Sequence, residues 1–230
     1  MFIGHCAVAL AAKRVTPRSS LGTLMAAALF LDLLWPTLLL LGIEHARITT
    51  DPAAPIPIVF EDYPVSHSLA AVLLWSALFA AGVWLAIRDR RAALVSGALV
   101  LSHWCLDALV HLPDLPLLPG GAWRIGAGLW HAPAASLTLE LGLFALGCAL
   151  YWRASRACDA IGRWAWVALA LFLVAIHLGN VFGPPPPSIA AVAWTGQSQW
   201  LIVLWAWWAD RHRSPMFLSS SPGETHEAIA

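Results

Sequence analysis

Charge is scarce in this chain. Only 11% of its 230 residues are Asp, Glu, Lys or Arg, against about a quarter in an ordinary soluble domain. That leaves too little polar surface to cover a soluble globule. The 13 acidic and 13 basic residues cancel, so a nucleic-acid partner has no electrostatic support. Cysteine is sparse as well. Cys6, Cys105, Cys148 and Cys158 show no C-x-x-C spacing, which excludes a disulfide framework or a cysteine-based zinc module. There is no G-x-S-x-G elbow, H-E-x-x-H helix, P-loop or G-x-G-x-x-G fingerprint. No internal repeat is evident, which weakens a transporter built from inverted halves. No basic stretch precedes the first apolar run. Lys13, Arg14 and Arg18 follow it instead, so a cleaved signal peptide is not expected.

What the chain has is apolar length. Hydrophobic residues make up 60% of it. Six long segments stand out, at 21–43, 65–87, 92–112, 125–152, 164–182 and 189–209. Each approaches the ~20 residues that a helix needs to cross a ~30 Å hydrocarbon core. Lipid cannot satisfy open backbone groups, and no alternating polarity suggests a barrel, so the segments should be helices. The expected fold is an all-α integral membrane protein with about six transmembrane helices. One polytopic domain would span 1–213, and the polar tail 214–230 would be disordered. The apolar run 2–12 is too short to cross and would form a short, re-entrant N-terminal helix.

Orientation follows from the basic residues. Lys13, Arg14 and Arg18, then Arg88, Arg90 and Arg91, then Arg153, Arg156 and Arg163, then Arg211 and Arg213 fall on one side if six helices alternate. Only Arg47 and Arg124 fall on the other. The basic side is cytoplasmic by the positive-inside rule, which places both termini there. Asp89, Asp159 and Asp210 adjoin these arginines and are expected as solvated loop partners.

Ionisable residues within membrane spans are costly and therefore functional candidates. The first half of the chain offers His5, Asp32, His67, His103 and Asp107, the ligand types of zinc, manganese or iron. His103 and Asp107 are four apart and share a helix face, which His111 continues. Counted from Arg91, His103 lies ~18 Å and Asp107 ~24 Å along its helix, toward the outer surface. Asp32 reaches a similar depth. His5 can join them only if the N-terminal run folds back under cover of other helices. Further along, Glu140 and His131 are the acid–base candidates. His177, Asn180, Gln197 and Gln199 are expected to hydrogen-bond between helices.

The run Ser102-His103-Trp104-Cys105-Leu106-Asp107, followed by His111-Leu112-Pro113-Asp114-Leu115-Pro116, resembles a signature of bacterial inner-membrane proteins described as predicted membrane-bound metal-dependent hydrolases, the LexA-regulated inner-membrane hydrolase group. Gly4-His5, Leu31-Asp32-Leu33, Ser66-His67-Ser68, Gly126-Ala127-Gly128-Leu129-Trp130 and Glu140 resemble further elements of that group. The likeness covers roughly residues 1–153. It departs at Asp32, where a Pro-Asp-x-Asp-like element is reduced to a single acid. The resemblance implies an inner-membrane location and a divalent metal, Zn or Mn, held by His5, Asp32, His67, His103 and Asp107.

Three functions fit these residues. In a hydrolase, metal-activated water would attack a lipid-like ester or phosphoester drawn from the membrane lipid, with Glu140 or His131 as general base or acid. In a proton- or ion-coupled transporter, the same groups would line a path. In a non-catalytic protein, they would form a packing network.

Overall fold

The computed structural model describes residues 1–216. The remainder of the expected tail lies outside the described residues. The first helix, α1 (Ile3–Ala12), is apolar on every side and buried. Helices apolar all round belong in an interior. α2 (Leu21–Ala28) starts on Ser20, whose side chain accepts the Thr23 N–H. α3 (Phe30–Leu40) continues it after a break at Leu29, with a 57° bend between the two. An antiparallel hairpin, β1 (His45–Ile48) and β2 (Ile58–Asp62), and a single turn, α4 (Pro64–His67), lead into α5 (Leu69–Ile87). Arg88, in the left-handed region at φ 53°, and Asp89, which caps Ala92 N–H, reverse the chain into α6 (Arg90–Val110). Short strands β3 (Leu115–Pro116) and β4 (Arg124–Ile125) and a 3-10 turn at Leu129–His131 precede α7 (Pro133–Ala154). β5 (Ser155–Ala157), α8 (Ala160–Phe182), α9 (Ile189–Gln197), α10 (Gln199–Arg211) and β6 (Arg213–Pro215) complete the described chain.

The chain is a helical membrane protein. α5, α6, α7 and α8 are each long and apolar enough to cross a bilayer, and the bent pair α2–α3 makes a fifth candidate. The sixth expected segment, 189–209, is divided at Ser198 into helices of 9 and 13 residues, each short of a crossing length. The fourth starts late. Residues 125–131 form β4 and the 3-10 turn, and α7 begins only at Pro133, whose fixed φ suits a first helical position. The tail expected from 214 starts inside β6, which pairs with β5.

α1 sits at the centre, packed on α2, α6, α7 and α8. Ten residues span only ~15 Å, so α1 is an internal strut and not a crossing. Its approach to α7 needs Gly147, where a Cβ would lie 2.5 Å from the Ala7 carbonyl oxygen. At the far end Lys13 Nζ pairs with Asp210 and donates to the Ser19 carbonyl at 2.7 Å. Asp210 also accepts the Leu21 N–H at 2.9 Å and the Tyr151 hydroxyl at 2.9 Å. It is a buried hub, not the solvated loop partner expected from its neighbouring arginines. Arg213 lies beside it, over the rings of Tyr151, Trp166 and Trp152, and donates to the Ser155 and Gly162 carbonyls.

Candidate metal centre

α6 carries His103, Asp107 and, just past its end, His111 up one face. α1 brings His5, the start of α3 brings Asp32, and α4 brings His67. Asp107 is the common point. On one carboxylate oxygen, Oδ1, the His5 Nε2 lies at 3.1 Å and the Met1 α-amino nitrogen at 2.7 Å. The other, Oδ2, faces the Nε2 atoms of His103, His67 and His111 at 3.2, 3.8 and 3.9 Å. Asp32 Oδ1 lies 3.7 Å from His103 Nε2. The His5 and His103 rings stack, with centroids 3.6 Å apart. One donor atom from each of His5, His103 and Asp107 falls within 4.8 Å of the others, and the same holds for Asp32, His67 and His103.

Each of the three imidazoles facing Oδ2 is oriented from behind. His103 Nδ1–H donates to the Ala28 carbonyl at 2.7 Å. That carbonyl is available because the helix breaks at Leu29. His67 Nδ1 lies 2.7 Å from the Ser66 hydroxyl, which itself donates to Glu44 Oε2 at 2.6 Å, so the hydroxyl oxygen accepts from the ring. His111 Nδ1–H donates to Asp114 at 3.0 Å, and Asp114 also accepts the Tyr63 hydroxyl at 3.1 Å. With Nδ1 protonated, the neutral ring has its lone pair on Nε2. Three lone pairs therefore converge on a carboxylate oxygen. His103 Nε2 has no hydrogen-bond partner among the described residues, nor does His5 Nδ1.

Such a set repels itself unless a cation or shared protons sit within it. Donors in a tetrahedral site with bonds near ~2.1 Å are ~3.4 Å apart, and the separations from His103 to Asp107 and Asp32 are 3.2 and 3.7 Å. The buried His and Asp groups can hold a metal ion. Ligand histidines characteristically donate their second nitrogen to a carboxylate or carbonyl, which is the pattern of His103 and His111, while His67 reaches the Glu44 carboxylate through the Ser66 hydroxyl. Burial pushes the Glu44 carboxyl above its ordinary value, against hydrogen bonds from Ser66 and Val65 that lower it.

A loop closes the site from outside. Ala127 N–H and Gly128 N–H bond the Ala108 and His111 carbonyls at 2.8 and 2.7 Å, capping α6. Gly126 permits this approach, because a Cβ there would lie 1.9 Å from the Leu112 carbonyl oxygen. The loop lays Trp130 on the His111 ring at 4.2 Å, and Phe60 of β2 covers the same ring at 5.0 Å.

The acid–base candidates are placed elsewhere. Glu140 Oε2 accepts the Phe2 and Gly4 backbone N–H groups at 2.8 and 3.4 Å, at the start of α1. His177 Nδ1 lies 3.9 Å behind it. His131 is exposed on the 3-10 turn, outside both donor groups. Asn180 is exposed while His177 is buried. Gln197 donates to Thr37 at 2.7 Å, joining α9 to α3. Sequence reasoning passed over Glu44, Ser66 as a hydroxyl bridge, Tyr63 and the role of Asp114. Only Asp114 carried a signal, through its place after His111.

No protein-family model, curated protein or solved structure matches this chain.

Proposed function

We propose that this chain is a membrane-embedded metal-dependent hydrolase of the inner-membrane kind that its motifs resemble. The observation that carries the reading is the convergence of His67, His103 and His111 Nε2 on Asp107 Oδ2, each ring held by a bond at Nδ1. His5, Asp32, His67, His103 and Asp107 would hold the ion, and Zn or Mn suits an imidazole–carboxylate set. A divalent ion bound there supplies Lewis acidity toward water and toward a carbonyl or phosphoryl oxygen. Asp32, a quarter of whose side chain is exposed, is the most open of the five and marks the approach to the site. The substrate class is a lipid-like ester or phosphoester, a molecule that the bilayer already concentrates beside the site.

The proposal includes a bacterial inner-membrane location with both termini cytoplasmic, the pair α9–α10 completing a sixth crossing. Its support is the gathering of basic residues at one end. β5 pairs with β6 there, and Lys13 meets Asp210. A second reading, cation transport, draws on the broken helix α2–α3, since discontinuous helices line transport sites. Metal that stays bound through purification separates the two, because a transported ion exchanges.

The test is metal content of detergent-purified protein by elemental mass spectrometry, wild type beside His103→Ala and Asp107→Ala. Near-stoichiometric Zn or Mn, lost in both variants, is expected. Wild-type protein that takes up no metal even after loading refutes the reading.

A further inference from the structure

Glu140 is a buried acid, yet it belongs to neither donor group. Its Oε2 accepts the Phe2 N–H at 2.8 Å and the Gly4 N–H at 3.4 Å, across 138 and 136 residues of sequence. The first N–H groups of a helix have no partner within it, and Phe2 supplies no side-chain cap to α1. A carboxylate from α7 fills that role and meets the positive end of the α1 dipole. His5 stands in the first turn, with its N–H bonded to the Phe2 carbonyl at 3.2 Å. The other end of α1 is held as firmly, by Lys13 on Asp210 of α10. α1 is thus held by one acid at each end, and it presents the His5 imidazole to Asp107.

We propose that Glu140 is a positioning residue, acting through α1 to set His5 against the cation site. The proposal rests on the cation reading above and gives Glu140 a different task from proton transfer. The experiment is calorimetric titration of Zn²⁺ into metal-stripped protein in detergent. The proteins are wild type, His5→Ala, Glu140→Ala, Glu140→Gln and the double variant His5→Ala/Glu140→Ala, each checked for a monodisperse elution profile.

His5→Ala and Glu140→Ala are each expected to weaken binding by ~10–100-fold. The double variant should bind no worse than the weaker single one, because both changes remove the same donor. Glu140→Gln keeps an oxygen that accepts the two N–H groups and should stay within ~5-fold of wild type. Wild-type affinity in Glu140→Ala, losses that multiply in the double variant, or Glu140→Gln as weak as Glu140→Ala would each overturn the proposal. If His103→Ala loses Zn²⁺ while His5→Ala and Glu140→Ala bind normally, the cation site stands and this role for Glu140 fails. If wild type binds none, the cation reading itself fails.

Discussion

Replacing Gly147 with alanine tests whether α1 is seated as closely as the structure requires. A Cβ at this position would lie 2.5, 2.8 and 3.0 Å from the oxygen, Cα and carbonyl carbon of Ala7. All three are backbone atoms, so no side-chain rotation relieves them. Ordinary contact begins at 3.4 Å, which asks α1 to retreat by about 0.9 Å along the closest line. Overpacking of this kind costs ~1–3 kcal/mol. Alanine returns ~0.5–1 kcal/mol over glycine within a helix. The net is a loss of up to ~2.5 kcal/mol, or up to ~5–10 °C in a chain of this length. Gly142, on the same helix, provides the control, because a Cβ added there would meet nothing within 4 Å. There only the helix term applies, and Gly142→Ala should stabilise by ~0.5–1 kcal/mol. Ala7 is two residues from His5, so the same retreat should weaken Zn²⁺ binding by ~10–100-fold, the loss typical when the support of a metal ligand is disturbed. Tryptophan fluorescence during heating in detergent, with a metal titration alongside, reads both effects. Gly147→Ala melting at or above wild type with unchanged affinity would refute the packing argument.

Two further outcomes follow from the opposite end of the molecule. Lys13→Met leaves the buried Asp210 without its cationic partner and should cost ~3–5 kcal/mol in denaturant unfolding, a loss that Asp210→Asn in the same chain largely restores; a change below ~1 kcal/mol would mean that the Leu21 N–H and Tyr151 hydroxyl suffice. Asp159 is exposed and its carboxyl is held below its ordinary value by the Gly162 N–H and then by His212. A depressed acid stabilises the fold above its unfolded pKa, ~3.9, and loses that contribution as pH falls through its folded value. Asp159→Asn keeps the helix cap, so its melting point should fall below wild type near pH 6 and converge with it toward pH 3; a gap that widens in acid contradicts the assignment.

Much of the site was legible because helical spacing is local. His103 and Asp107, four apart, had to share a face, and His111 had to extend it. For Asp32 the sequence offered only a similar depth along its helix, and for His67 only its residue type. His5 was harder, since a ten-residue apolar run gives no sign of what encloses it. The break at Leu29 was not legible at all. Neither glycine nor proline stands there, and the freed Ala28 carbonyl matters only because His103 arrives from a distant helix. Glu44 and Asp114 lie in loops between helices, where carboxylates are ordinarily solvated, and only tertiary contact turns them into supports for histidines. The same blindness made Asp210 look like a surface charge. Counting hydrophobic residues also overran α7 at its start, because Gly126 to Trp130 are apolar yet bind the end of α6.

The central place of α1 carries a consequence for how the protein is assembled. A segment this short cannot be threaded across the bilayer as it leaves the ribosome. It has no stable seat until α6, α7 and α8 surround it, and its Lys13 has no counter-ion until Asp210 has been made. His5 therefore reaches its place only once those helices are in position. The donor set closes only when the helices that enclose α1 have come together around it.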